Sequence, residues 1–461
     1  MFDRGLFIFH RDFRIVDNVG LLEASERCKQ LYVCFIFTPE QVGKANTYRS
    51  QNAVQFMIES LADLSTQIKK AGGELLLFYG KQVNIISQCI KTFQIQCVFF
   101  NKDYTPYAVE RDRNTAAFCK KRGIECEMFS DYYLFEPGSI TTSSGDIYKK
   151  FTPFYDEVLP QKVNIPKSIL IANFAKHGTT SLDNTITLVQ ALSTFTRPNT
   201  EIAVHGGRVK ALERLKSTLV EQARYDETRD YLIHNTTFLS AYIKFGCVSV
   251  REVYHTYKRK YGIKHGLIRE LIWRDFFAHI LYGYPSVLDK SPHFEKIHWR
   301  RSKSDFERWM TGTTGFPLVD AGMRQMNTTG YMHNRCRMVV ANFLVKTLLL
   351  DWRLGETYFA QKLTDYDIAS NNGNWASIAS VGVYFTPYFR DMSPWIQSKK
   401  FDKNAEYIKH WVPELCDVDA RDIHRWNEAF VNYTGIDYPT PMVDYKEQKE
   451  KMLEMYKPMN I

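Results

Sequence analysis

Gly5-Leu6-Phe7-Ile8-Phe9-His10-Arg11-Asp12-Phe13-Arg14 sets how the rest of the chain is read. A short, strongly apolar run passes abruptly into a polar cluster, the pattern of a strand buried on both faces. Outward from it the pattern returns at Leu31–Phe37, Glu74–Tyr79, Gln96–Phe100 and Glu125–Phe129, each bounded by turn residues. Between them Arg49–Lys70 carries a helical period (Phe56, Ile58, Leu61, Leu64, Ile68), as do Gln82–Phe93 and Ala108–Lys121. Strands alternating with helices predict an α/β domain over residues 1–130, a doubly wound, parallel, five-stranded sheet of Rossmann-like plan. No Gly-x-Gly-x-x-Gly follows the first strand and no P-loop occurs, so an ordinary dinucleotide fingerprint is excluded.

Beyond residue 130 the pattern changes. Pro137-Gly138, Thr141–Gly145 and the sparse run from Gln161 to Thr200 read as a connector over 131–200. From His205 the strand signal almost vanishes. Leu212–Ala223, Phe238–Phe245, Val250–Tyr257, Leu267–Leu281, Phe316–Met326, Arg337–Leu350 and Glu356–Lys362 have helical periodicity, which predicts an all-α domain over 201–461. The length of 461 residues suits two domains, and 44% hydrophobic with 24% charged residues excludes disorder. With no long apolar run and no signal-peptide layout, the expectation is a soluble intracellular protein, in cytoplasm or nucleus, with no membrane partner. The nine cysteines form no Cys-x-x-Cys and no zinc spacing, so no metal is expected. A net charge of +9 is compatible with a polyanionic partner without requiring one.

Four segments carry candidate chemistry. In Glu270–Phe277, the residues Glu270, Trp273 and Arg274 fall at i, i+3 and i+4 and share a helix face. Acid, indole and guanidinium together can read a base edge, stack on a ring and hold a phosphate; a salt-bridged helix with a core Trp is the plainer reading. In Tyr331–Met338, His333, Asn334, Arg335 and Arg337 stand at a helix start, where positive charge opposes the helix dipole. An anionic partner, ligand phosphate or carboxylate, answers that; a solvated basic cap is the alternative. Leu363–Trp375 sets Asp365 and Asp367 before an Asn/Gly cluster and reads as a polar loop closing on an aromatic, with an Arg as the better partner for Asp365 than a metal. Thr236–Ser240 offers hydroxyls at a helix opening, a phosphate site or an ordinary N-cap.

In this order and together, these segments resemble the photolyase/cryptochrome family over essentially the whole chain. The likeness begins with Phe9–Asn18 and continues through Phe151–Phe154, Thr236–Ser240, Glu270–Asp275, Gly315–Arg324, Gly330–Met338, Asp351–Phe359, Asp365–Trp375 and Pro387–Arg390. The subgroup it is most similar to is the class I photolyases that repair cyclobutane pyrimidine dimers.

The resemblance implies a helical domain that holds a folded FAD, active as FADH⁻. By motif, Tyr225, Thr236, Thr237, Phe238, Leu239 and Ser240 would take its diphosphate and ribityl chain. Arg337 would pair with Asp365, while Asp365, Tyr366 and Asp367 lie along the flavin and Asn371 faces its N5. An electron-transfer chain would run through Trp375, Trp352 and Trp299. In the lesion pocket Glu270 would bond the pyrimidine edge and Trp273 stack on the flipped dimer. Arg229, Arg274 and Arg335 would approach phosphates, Asn334 and Met338 line the floor, and Gln397 touch DNA. Relatives that repair (6-4) photoproducts place a second His where this chain has Asn334.

Two positions depart from the family pattern. Ser377 stands where dimer photolyases carry a second stacking Trp, a loss of about 1–3 kcal/mol of base stacking. Tyr107-Ala108 stands where folate-binding relatives have an antenna-contacting Glu, so a second, antenna chromophore is left unidentified. The expected activity is light-driven splitting of pyrimidine dimers in DNA by a monomeric enzyme. The alternatives are a cryptochrome-type photoreceptor, or repair of another lesion or of single-stranded DNA. The chain runs only to Ile461, without the long tail that cryptochrome photoreceptors commonly append.

Overall fold

Burial of β1 (Phe2–Phe9) begins at Gly5 and continues to its end. A Cβ on Gly5 would lie 2.4 Å from Cys28 Sγ, so only glycine lets the neighbouring strand approach there. The computed structural model describes residues 1–178, 182–289, 297–385, 387–388 and 390–459. Of the Pro387–Arg390 block, Phe389 lies outside the described residues.

Strands β1, β2 (Cys28–Phe37), β3 (Leu75–Tyr79), β4 (Cys97–Asn101) and β5 (Glu125–Phe129) form one parallel sheet in the order β3-β2-β1-β4-β5. The crossovers are α1 (Val19–Arg27), α2 (Gln51–Lys70), α3 (Gln82–Phe93) and α4 (Pro106–Lys121). Periodicity marked the last three. At nine residues, α1 is too short to show it, and Asn18 starts it by accepting from Leu21 N.

The polar run after β1 is a buried network. Arg14 donates to both Asp131 carboxylate oxygens at 2.8 and 2.6 Å, and Arg251 donates to Asp17 at 2.9 Å and Asp131 at 2.7 Å. Asn101 donates to Asp12 at 2.5 Å and to Asn18 at 2.7 Å. Burial raises the Asp12 carboxyl to about 6. Such charges stay folded in only as a fully paired set, since removing one partner strands a buried ion.

Contacts divide the chain into two compact units that run across the boundaries expected at 130 and 200. One gathers 1–199, 204–223 and 237–285; the other gathers 200–203, 224–236 and 286–461. The first includes α5 (Phe151–Val158), α6 (Leu188–Phe195), α7 (Arg208–Glu221), α8 (Val250–Tyr261) and α9 (Gly266–Gly283). Helices α5 and α6 fall within the stretch read as connector; at eight residues each, they span too few turns for a period to stand out. The second includes α10 (Lys303–Thr311), α11 (Pro317–Thr329), α12 (Asn334–Asn342), α13 (Trp352–Lys362), α14 (Ile368–Ile378), α15 (Pro394–Phe401) and α16 (Tyr445–Tyr456). Its core centres on Trp309, Phe316, Phe343, Leu344, Trp352 and Trp375.

Three local expectations are corrected. Arg337–Leu350 is not one helix: α12 gives way at Phe343 to a π-helical turn through Thr347, all of it buried. The segment read as a polar loop is largely α14, because Asp367 caps it at Ser370 N (3.1 Å) and Ala369, Asn372, Trp375 and Ala376 bury a face. Phe238–Phe245 is helical only over Ser240–Lys244, since Phe238 sits at φ 52°, outside the helical region. Among the described residues no helix is long and apolar enough to cross a membrane, and no group of three His, Cys, Asp or Glu could hold a metal.

Candidate functional site

In the second unit the site is built on the start of α12. His333 caps it, its Nδ1 accepting from Arg335 N at 3.1 Å. Burial pulls the His333 ring down to about 4, so at neutral pH it is an uncharged acceptor. The two arginines that oppose the helix dipole each find a carboxylate. Arg335 pairs with Asp230 at 2.6 Å and lies 4.4 Å over the Phe401 ring. Arg337 donates from one nitrogen to both Asp365 oxygens at 3.1 and 3.0 Å, and its Nε to Met332 O at 2.8 Å.

Asn371, in the first turn of α14, donates to the carbonyl of Glu356 at 3.2 Å and to its carboxylate at 3.0 Å. Tyr366 OH donates to the same carboxylate at 3.4 Å. Glu356 is buried, and the sequence reading missed it. Its signal was available: it follows Trp352 by four residues on α13, on the same helix face. Asp367 is spent on the cap of α14.

Trp375 and Trp352 are both 2% exposed and Trp299 is half-buried against the same core. The indole nitrogens of Trp352 and Trp299 are buried without a hydrogen-bond partner. Gly355 brings the α13 backbone onto Trp375, where a Cβ would lie 2.2 Å from the indole. Trp375 meets Phe359 edge-on at 5.0 Å and Trp309 at 6.2 Å.

Around this centre Tyr225 is buried, and Thr236 Oγ1 shares a 2.7 Å hydrogen bond with Tyr331 OH. The Arg229 guanidinium lies 5.8 Å from the Tyr225 ring. Asn334 is exposed and Met338 half-buried on α12, while Gln397 on α15 keeps a buried Oε1 without a partner. Thr364 Oγ1, next to Asp365, is also buried and unpartnered.

The remaining residues belong to the first unit. Thr237 offers its carbonyl to Arg214 Nε at 2.7 Å and its hydroxyl to Leu239 N at 3.3 Å; Leu239 is buried and Ser240 exposed. On α9, Glu270, Trp273 and Arg274 are half-buried together while Leu271, Ile272, Asp275, Phe276 and Phe277 face the core. The Trp273 indole lies parallel to the Phe151 ring, centroids 3.5 Å apart. Arg274 donates to Tyr132 O at 2.7 Å and lies 4.4 Å over the Tyr133 ring. Asp275 accepts from Phe135 N at 2.9 Å, and burial pushes its carboxyl up to about 7.

Comparisons with known proteins cover nearly the whole chain. A family model described as DNA photolyase matches residues 6–168, and one described as the FAD binding domain of DNA photolyase matches 267–458. The deoxyribodipyrimidine photo-lyase of Escherichia coli is 32% identical over 466 residues, 97% of each chain. Among solved structures, the archaeal photolyase from Sulfolobus tokodaii with two FAD molecules is 37% identical, covering 99% of this chain and 100% of that one, with a TM-score of 0.88. The bacterial class III photolyase from Agrobacterium tumefaciens is 30% identical, covering 100% and 98%, with a TM-score of 0.91.

Proposed function

This chain belongs to the photolyase/cryptochrome family, and from that premise we propose that it is a deoxyribodipyrimidine photolyase that splits cyclobutane pyrimidine dimers in DNA under light. The carrying observation is a paired arrangement on the second unit's helices. Arg337 neutralises Asp365, and Glu356 fixes the Asn371 amide one turn before buried Trp375.

These residues fit a flavin dinucleotide. A charge-neutral Arg–Asp pair, an oriented amide and the buried, unpartnered Thr364 hydroxyl form a donor and acceptor set for a planar heterocycle and its polar chain. Tyr225, Thr236 and the turn Thr237–Ser240 take the diphosphate and ribityl groups in this reading. Bound and reduced, FAD supplies the light-absorbing electron donor. Glu356, accepting from the Asn371 amide nitrogen, would leave the amide oxygen to meet the heterocycle.

Trp375, Trp352 and Trp299 would pass an electron inward to a bound flavin; the unpartnered indole nitrogens of Trp352 and Trp299 leave those two without a fixed acceptor that would take a proton. Glu270 bonds the edge of the extruded dimer and Trp273 stacks on it; Asn334 and Met338 are further lesion contacts in this reading. Arg229, Arg274, Arg335 and Gln397 hold the strand. His333 stays neutral, which suits a ring-splitting step that needs electrons rather than a general acid. A second chromophore is proposed without a fixed identity, on the likeness to the Sulfolobus tokodaii photolyase with two FAD molecules.

The test is repair itself. The flavin-loaded, reduced protein is mixed with DNA carrying a cyclobutane thymine dimer and illuminated, and recovery of thymine absorbance is followed. Recovery in light and none in the dark is expected. Absence of recovery from a reduced, flavin-loaded sample would overturn the reading and favour a photoreceptor or another lesion.

A further inference from the structure

Helix α5 is held on α9 by two aromatic residues one turn apart. Phe154 packs on Phe276 at 5.5 Å and edge-on to His279 at 4.9 Å. Phe151 lies on Trp273 with the ring planes 4° apart and centroids 3.5 Å apart, and meets Phe276 edge-on at 5.7 Å. Isolated aromatic pairs prefer an offset or edge-on arrangement with centroids about 4.5–7 Å apart. The face-to-face stack is therefore imposed by the docking of α5 on α9 rather than sought by the two rings. Phe151 is itself buried.

We propose that Phe151 is a positioning residue for lesion recognition: its ring fixes the plane of the Trp273 indole before DNA arrives. The proposal rests on the reading of Trp273 as the residue that stacks on the dimer. An indole free to turn would have to be immobilised when the base stacks, and ordering one such side chain weakens binding by about two- to tenfold. Phe151, the nearest of three rings on the indole among the described residues, supplies that order in advance within the folded protein; Phe276 and Phe277 each lie at 5.7 Å. Nothing in this role touches the flavin or the electron path, so the effect belongs to affinity for damaged DNA and not to the light-driven step.

The test measures dissociation constants of the FAD-loaded protein in the dark. The ligands are a duplex with one cyclobutane thymine dimer and the same duplex undamaged. Phe151→Leu is expected to weaken binding to the damaged duplex by about two- to tenfold. Affinity for undamaged DNA, flavin content and the repair rate at saturating lesion are expected to stay unchanged. Phe151→Tyr, which keeps the ring, should match the unmodified protein. In a Trp273→Leu background the Phe151→Leu change should add no further loss. An unchanged ratio of damaged to undamaged affinity in Phe151→Leu, or an equal further loss in the Trp273→Leu background, overturns the proposal. Loss of flavin or of folding in both Phe151→Leu and Phe151→Met would make Phe151 part of the packing alone, which also overturns it. If the unmodified protein does not prefer damaged DNA, or Trp273→Leu leaves that preference intact, the lesion reading itself falls.

Discussion

Trp375 combines a buried indole with two edge-on aromatic neighbours and a glycine that admits it to α13. Trp375→Phe keeps most of the volume and removes the most easily oxidised ring. Photoreduction of the oxidised flavin is expected to fall by at least about tenfold, equivalent to about 1.4 kcal/mol of barrier. Repair by chemically reduced protein should stay near the unmodified rate; flavin absorbance under illumination, followed by a repair assay, reads both. The sequence named Trp375, Asp365, Arg337 and Asn371 through their motif. It did not name Glu356, whose place four residues after Trp352 was the one local hint; its partners Asn371 and Tyr366 meet it only in the fold. Nor did it say which anion answers Arg335, although the resemblance paired Arg337 with Asp365. A guanidinium at a helix start demands a negative partner on electrostatic grounds, but Asp230 lies more than a hundred residues away and reaches Arg335 only through the fold.

Helix α9 shows how one element divides its tasks by face. Glu270, Trp273 and Arg274 keep partial exposure, while Asp275 on the opposite side is fully buried. Burial raises Asp275 to about 7, so between the ordinary carboxylate range and neutrality the native state holds a proton that the unfolded chain has released. By linkage, this group makes stability fall as pH rises across that window, to a full cost above neutrality. Asp275→Asn removes the ionisation and keeps an acceptor for Phe135 N. The variant is expected to gain on the order of 1–3 kcal/mol over the unmodified protein at pH 8 and little at pH 4; denaturant titrations at both pH values decide it. At this scale periodicity found α9 and most long helices. It missed α1, α5, α6, α10 and α15, which are short, and α16, which buries only Gln448, Met452 and Tyr456; it read α14 as a loop because its Asn-rich sequence has weak intrinsic helix propensity. Capping by Asp367 and burial of Trp375 outweigh that preference.

For the whole molecule, a net charge of +9 favours a polyanion, and the proposed DNA contacts make affinity a function of salt. Binding to damaged duplex is expected to fall linearly on a log–log plot against salt concentration. Arg229→Ala should reduce the slope by about one unit without changing the preference for the lesion. Titrations between 50 and 200 mM salt measure both, on the scale over which such binding usually changes most. The sequence by itself determined the five parallel strands, the helical half and the family, because strand and helix periods are local and the motifs recur in a fixed order. The tertiary structure alone decided that 204–223 and 237–285 join residues 1–199 in one compact unit. It also decided that the polar run after β1 is a buried ion network, that Arg335 is neutralised by Asp230, and that Phe151 lies flat on Trp273. Each of these joins residues far apart in the chain, and which distant groups meet depends on how the elements pack, which no local pattern encodes.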